Sequence, residues 1–300
     1  MKKPIFTGAA VAIVTPMHTD GTVNFEKLGQ FIDFQINNGT DAIVICGTTG
    51  ESSTLSHEEH TEAIRYTVEK VAGRVPVIAG TGSNDTAYAV KLSLEAQDAG
   101  ADALLCVTPY YNKTSQAGLI AHFTYIADRV KLPIILYNVP SRTGVNIKPE
   151  TYLELSKHPN IVAAKEANGD ITAAARTASL CGDELVLYSG NDDQIVPLLS
   201  LGAKGVISVL SNVMPHEAHD ICARYFAGDV EGSRRLQLEL IPLIDALFIE
   251  VNPIPVKAAL NLMGLDVGAC RLPLTDLSEK ETAILKTELQ KQGLLNKVFS

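Results

Sequence analysis

The 300-residue chain is predicted to fold as an α/β protein, a closed (β/α)8 TIM barrel followed by a C-terminal helical region. Three observations carry that expectation. Short β-branched runs recur along the first three quarters of the chain, helix-sized segments separate them, and the runs are apolar on both faces, as strands of a helix-covered parallel sheet must be. The runs span residues 9–15, 41–46, 75–80, 101–108, 133–139, 161–167, 185–189 and 205–210. Eight such units in about 230 residues fit a closed barrel better than an open doubly wound sheet.

The segments between the first runs carry helix start and stop signals. Residues 24–38 open at Asn24 and end at Gly39, residues 57–72 open at Ser56 and end at Gly73, residues 85–99 end at Gly100, and residues 115–130 open at Ser115. A side-chain oxygen at the first position accepts from the unpaired amides of the opening turn, and glycine tolerates the left-handed conformation that closes a helix. Near Gly228 the strand pattern stops, and residues 230–248, 255–263 and 278–292 read as helices. Residues 1–228 are therefore expected to form the catalytic barrel, with residues 229–300 a helical region packed on it, since no low-complexity linker separates the two.

A hydrophobic content of 46% and a charged content of 20% are ordinary for a globular chain. The net charge of −9, with no Lys/Arg cluster to offset it, argues against a nucleic-acid or anionic-membrane partner. The apolar stretch from Ala9 to Val14 is too short for a signal peptide or a membrane span. Cys46, Cys106, Cys181, Cys222 and Cys270 show no Cys-x-x-Cys spacing and read as reduced, mostly buried thiols of a cytoplasmic protein. The pairs His57/His60 and His216/His219 lack both the i, i+4 spacing of metalloprotease helices and a third ligand. They are read as exposed helix faces, and neither a metal nor a cofactor is expected.

Active sites of such barrels lie at the C-terminal ends of the strands, and here those ends carry the chemistry. Lys165 interrupts the apolar run Ile161-Val-Ala-Ala-Lys-Glu-Ala-Asn168. A lysine amine ordinarily titrates near ~10.4, and a dry strand position favours the neutral form that attacks carbonyls to make a Schiff base. On a period of two, Ile161, Ala163 and Lys165 share one face while Glu166 takes the other, so Glu166 should not neutralise the lysine. Tyr137 reaches a similar depth in the preceding strand, which leads into Ser141-Arg-Thr-Gly144. The Gly47-Thr-Thr-Gly50 turn offers backbone N–H groups and two hydroxyls, a nest suited to a carboxylate, whereas Asp192-Asp193 after the seventh strand oppose a phosphate dianion. Taken singly, each feature has a plainer reading: a snorkelling or ion-paired lysine, amphipathic packing of Tyr110, Tyr111 and Tyr137, a solvated Arg142, a simple glycine turn. Their shared location at one end of one predicted barrel favours a site.

Gly47-Thr-Thr-Gly-Glu51, Thr108-Pro-Tyr-Tyr-Asn-Lys113, Tyr137-Asn-Val-Pro-Ser-Arg-Thr-Gly144, Lys165-Glu166 and Ser189-Gly-Asn-Asp-Asp193 resemble the motifs of the dihydrodipicolinate synthase family, in order and over nearly the whole chain. The resemblance implies a class I, Schiff-base-forming lyase on a (β/α)8 barrel that condenses pyruvate with L-aspartate 4-semialdehyde on the route to diaminopimelate and lysine. It implies that Lys165 forms the imine with pyruvate, that Thr48 and Thr49 hold the pyruvate carboxylate, and that main-chain groups of Gly190 and Ile207 complete the pocket. By the same resemblance, Thr49, Tyr137 and Tyr111 form a hydroxyl relay, with Tyr111 supplied by a neighbouring subunit of a homotetramer (a dimer of dimers) or a homodimer. Arg142 would receive the semialdehyde carboxylate. Ser52, His57, His60, Asn84 and Tyr110 match a regulatory lysine pocket in which Tyr88 stands where lysine-sensitive members have a glutamate. A tyrosine supplies no negative charge near neutral pH, so lysine feedback is expected to be weak or absent.

The chemistry fits these residue types. Phenols can donate and accept protons in turn, and a guanidinium fork binds a carboxylate through two hydrogen bonds. The rival readings are a sister pyruvate-dependent aldolase, such as N-acetylneuraminate lyase or a keto-sugar-acid aldolase, and a non-enzymatic binder of a small acid. Arg142 and Tyr111 favour the synthase, because sugar substrates need hydroxyl recognition more than a second carboxylate clamp.

Overall fold

The computed structural model describes residues 2–295, so the first residue and the last five of the two expected regions lie outside it. Eight strands close in chain order into one parallel barrel: β1 (Gly8–Ala12), β2 (Ala42–Ile45), β3 (Val77–Gly80), β4 (Ala103–Val107), β5 (Ile134–Asn138), β6 (Ile161–Glu166), β7 (Val186–Ser189) and β8 (Gly205–Ser208). The pairing Ala10↔Ile207 seals β1 against β8. The predicted first run is longer than β1 because residues 14–15, beyond a last ladder bond from Ile13 N to Val44 O at 3.1 Å, leave the sheet to tie the top of the barrel together. Val14 N donates to Asn212 Oδ1 at 3.1 Å, and the Thr15 hydroxyl donates to Gly50 O at 2.7 Å.

Helices α1 (Phe25–Asn37), α2 (His57–Val71), α3 (Thr86–Asp98) and α4 (Gln116–Ala127) occupy the predicted segments, followed by α5 (Pro140–Thr143), α6 (Pro149–Ser156), α7 (Ile171–Cys181), α8 (Ile195–Ser200) and α9 (Pro215–Phe226). The expected caps form: Asn24 accepts from Lys27 N, Ser115 accepts from Gly118 N, and Ser56 makes a reciprocal capping box with Glu59. Beyond the barrel run α10 (Val230–Leu247), α11 (Ile254–Leu262) and α12 (Glu279–Lys291); α10 packs on α9, and α12 packs on α10 and α11.

Two apolar cores result. One lies between sheet and helices, and the other fills the lumen with Ala10, Ala12, Val44, Ile78, Leu105, Ile135, Tyr137, Ala163, Tyr188 and Ile207. Phe6, just before β1, stacks on Tyr188 with ring centroids 4.3 Å apart, and Phe6 O accepts from the Tyr188 hydroxyl at 2.8 Å. That pair fills the lumen from below, so the opening lies at the other end. The expected face-sharing of Ile161 with Lys165 is corrected here. Ile134 pairs with Ile161 but Ile135 pairs with Ala163, so the register shifts at Val162 and Ile161 joins the outer core while Ala163 faces the lumen. No described helix is long and apolar enough to cross a membrane.

Candidate active site

Parallel pairing sets Tyr137 beside Lys165, and Lys165 beside Tyr188, on one rung of the barrel. Partners on a rung project to the same face. Lys165 is 6% exposed, and its Nζ lies 4.4 Å from the Tyr137 ring centroid, within cation–π range. Among the described residues its amine makes no hydrogen bond or ion pair. Glu166, one residue on, points away as expected. Its carboxylate accepts from Asn138 Nδ2 at 2.9 and 3.2 Å, from the Tyr152 hydroxyl at 2.9 Å and from Asn168 N at 2.9 Å. Burial outweighs these three donors and pushes its pKa up to about 7.

A second buried acid near the lysine is Asp192. It is 2% exposed and within electrostatic reach of Lys165; Oδ2 accepts from Val209 N at 3.0 Å and Leu210 N at 2.9 Å, while Oδ1 is buried without a partner among the described residues. Burial raises its pKa.

The turn after β2 is wound tightly. Gly50 N donates to Gly47 O at 3.1 Å, Glu51 N donates to Thr48 O at 3.1 Å, and Glu51 takes φ +55°. Thr49 is buried at 2% exposure and Thr48 is half-buried. Glu51 anchors the turn from below: its Oε1 pairs with Lys257 Nζ at 2.8 Å, both side chains being almost wholly buried, and its Oε2 accepts from Arg271 N at 2.8 Å. Lys257 also donates to Ala269 O at 2.7 Å, so this buried charge is fully engaged.

The remaining predicted residues distribute around the opening. A cavity of about 420 Å³ is lined by Thr48, Ser52, His60, Tyr88, Tyr110 and Arg142 among others. Arg142 sits in α5, exposed, with Nη2 donating to Asn252 O at 3.0 Å. Gly190 N donates to Glu166 O at 2.7 Å, and a Cβ there would meet Ala167 Cβ at 2.7 Å, so only glycine permits this approach of the two strand ends. Ile207 is buried in the lumen. Tyr111, by contrast, is 91% exposed with φ +68° and stands apart from its own barrel. Among the described residues no hydrogen bond joins Thr49, Tyr137 and Tyr111.

Of the four histidines read as exposed helix faces, His216 is exposed as expected, His57 and His219 are half-buried, and His60 corrects the reading. His60 is 6% exposed and its Nε2 lies 2.8 Å from Gly80 O, because α2 presses that face onto β3; burial lowers its pKa. His57 lies 3.3 Å from the Tyr88 hydroxyl and 3.2 Å from Glu95, and Asn84 O accepts from Asn112 Nδ2 at 2.9 Å. His219 Nδ1 lies 2.8 Å from Asp41. Cys46, Cys106, Cys181 and Cys222 are buried and Cys270 half-buried, with burial pushing every thiol up, Cys106 to about 11 and Cys270 to about 12. Asn252, Lys257 and Arg271, which reach the turn after β2 from the C-terminal segment, were not singled out from sequence, and nothing in their local pattern marks them.

A sequence model described as the dihydrodipicolinate synthetase family matches residues 5–292. A relative from Thermoanaerobacter sp. (strain X514), a 4-hydroxy-tetrahydrodipicolinate synthase, is 61% identical over 293 residues, covering 97% of this chain and 98% of the relative. The crystal structure of dihydrodipicolinate synthase from Thermotoga maritima superposes with a TM-score of 0.95 at 46% identity, covering 97% of this chain and 100% of that one. A solved monomeric dihydrodipicolinate synthase variant superposes equally well, at 0.95 and 45% identity, covering 97% and 98%.

Proposed function

Because the chain belongs to the dihydrodipicolinate synthetase family, we propose that Lys165 is the amine that bonds covalently to pyruvate in its reaction. The reaction is that of a 4-hydroxy-tetrahydrodipicolinate synthase, a lyase that condenses pyruvate with L-aspartate 4-semialdehyde in lysine and diaminopimelate biosynthesis. The observation that carries the assignment is the rung itself: a buried amine beside a phenol ring, with the neighbouring carboxylate turned to the opposite face and fully bonded there. The amine attacks the pyruvate ketone, water leaves, and loss of a methyl proton from the imine gives the enamine that adds to the semialdehyde carbonyl. Tyr137 and Thr49 carry protons in this scheme, with Tyr111 entering from a neighbouring subunit; Thr48 and Thr49 hold the pyruvate carboxylate with main-chain groups of Gly190 and Ile207. Arg142 at the mouth takes the semialdehyde carboxylate. Borohydride reduction with pyruvate should add one pyruvyl mass at Lys165, and a coupled assay with the semialdehyde should then show turnover. A protein that turns over without any label at Lys165 ends the assignment.

The exposure of Tyr111 supports an assembly in which a second copy receives it, a homodimer or a dimer-of-dimers tetramer. Sedimentation velocity at working concentration should find no monomer. Reduced thiols and the absence of a membrane-spanning helix among the described residues support a cytoplasmic location. Ser52, His57, His60, Asn84 and Tyr110 are proposed to line a regulatory pocket that binds lysine weakly. Burial and nearby acids raise the pKa of the Tyr88 phenol, so it stays neutral, and Glu95 already contacts His57. Half-inhibition by lysine at on the order of tens of micromolar would overturn this.

A further inference from the structure

Between α10 and α11 the C-terminal region sends one residue into the mouth of the site. Asn252 is 5% exposed; its Nδ2 donates to Thr49 Oγ1 at 3.0 Å, and its main-chain oxygen accepts from Arg142 Nη2 at 3.0 Å. One residue thus touches both the hydroxyl assigned to the relay and the arginine assigned to the second substrate. Holding the turn in place does not require its amide. The turn is already anchored through Glu51, by Lys257 Nζ at 2.8 Å and by Arg271 N at 2.8 Å. Nor does stability account for it, because Asn252 Oδ1 is buried with no partner among the described residues, and a buried polar atom left unpaired destabilises a fold.

What the amide does is fix polarity. A threonine hydroxyl has one proton to give and two lone pairs to accept with. With one lone pair occupied by the Asn252 N–H, the hydroxyl cannot turn its proton toward this side and must direct it to another acceptor. We propose that Asn252 is a positioning residue for the condensation: it orients the Thr49 hydroxyl so that its proton and its free lone pair both stay within the relay, while its backbone oxygen steers Arg142. The inference rests on the assignment of Thr49 to the relay.

The test is a double-mutant cycle of Asn252→Leu and Thr49→Val, with Asn252→Asp as a near-isosteric variant that replaces the donor by an acceptor. Asn252→Leu is expected to lower kcat about tenfold to a hundredfold, with KM for pyruvate within about twofold of the parent and the melting temperature unchanged or higher. Asn252→Asp should fall further, because its carboxylate draws the Thr49 proton the wrong way. In the Thr49→Val background, Asn252→Leu should add no further loss, an outcome that a purely structural role would not produce. Parental kcat in Asn252→Asp or Asn252→Leu, or the same fold-loss repeated in the Thr49→Val background, overturns the inference. Parental kcat in Thr49→Val alone instead removes the relay assignment on which it stands.

Discussion

Strands β5 and β6 treat their two faces in opposite ways. On the lumen face, the side chains of Lys165 and Tyr137 lie side by side with no hydrogen bond to another described residue. On the outer face, one residue further along each strand, Glu166 and Asn138 are bonded to each other, to Tyr152, to Asn146 and to the amides of Asn168 and Ile147. The four residues share the same pair of strands and nearly the same depth. What separates them is the use made of burial: polar groups kept without partners are available to a substrate, whereas saturated ones fix the register that aims the first set. The outer network also ties the Arg142-bearing segment down, because Ile147 N donates to Asn138 Oδ1 at 3.1 Å.

Substitutions on the lumen face should therefore remove activity and spare the fold. Lys165→Ala is expected to lower kcat at least about 10³-fold and to abolish borohydride labelling, with no loss in melting temperature, since its amine leaves no partner behind. A variant within tenfold of the parent would show that the lumen amine is not the reagent. Tyr137→Phe is next, with a loss of about 10²-fold in kcat and labelling by pyruvate preserved at saturating concentration. Its phenol hydroxyl has no described hydrogen-bond partner, so denaturation midpoints should match the parent; a lowered midpoint would mean that the two faces are less separate than the geometry implies.

The outer face should behave in the reverse sense. Glu166→Ala strips acceptors from Asn138, Tyr152 and Asn168 N at once, and orphaning buried donors should lower unfolding free energy by about 2–3 kcal/mol. Folded enzyme that survives is expected to keep kcat within about tenfold of the parent. Urea titrations with kinetics at matched folded fractions check both halves, and a variant of parental stability with collapsed kcat would assign Glu166 to the chemistry instead.

Much of this contrast could be read from the sequence, and the reasons differ by residue. Lys165 was visible because a charge inside an apolar run violates the pattern that a buried strand imposes, and Glu166 was visible as its neighbour on a period of two. The caps at Asn24, Ser56 and Ser115 were visible because capping is a local bond over three residues. The register shift at Val162 was not, since it depends on which residue of β5 pairs with which of β6. Asn252 and Lys257 were invisible for a related reason: they meet Thr49 and Glu51 across 203 and 206 residues, and local periodicity carries nothing about contacts that distant. His60 looked like a surface histidine until the packing of α2 onto β3 buried it.

The smallest expected effect is also the one that probes the outer network without dismantling it. Glu166 has a folded pKa of about 7 against an ordinary 4.5, raised by burial. Between those values the folded state holds a proton that the unfolded state has released, so stability falls as pH rises through the window and is level above it. The contribution amounts to roughly 2 kcal/mol between about pH 5 and pH 7, fully present as a penalty once the folded carboxylate ionises. Glu166→Gln removes the titration while keeping an oxygen to accept from Asn138 or Tyr152. Its unfolding free energy should therefore lose that downward slope relative to the parent, becoming comparatively more stable toward pH 8. Parallel pH profiles for the two proteins would mean that the three donors around the carboxylate hold it ionised throughout, and that the outer face is saturated by charge as well as by hydrogen bonds.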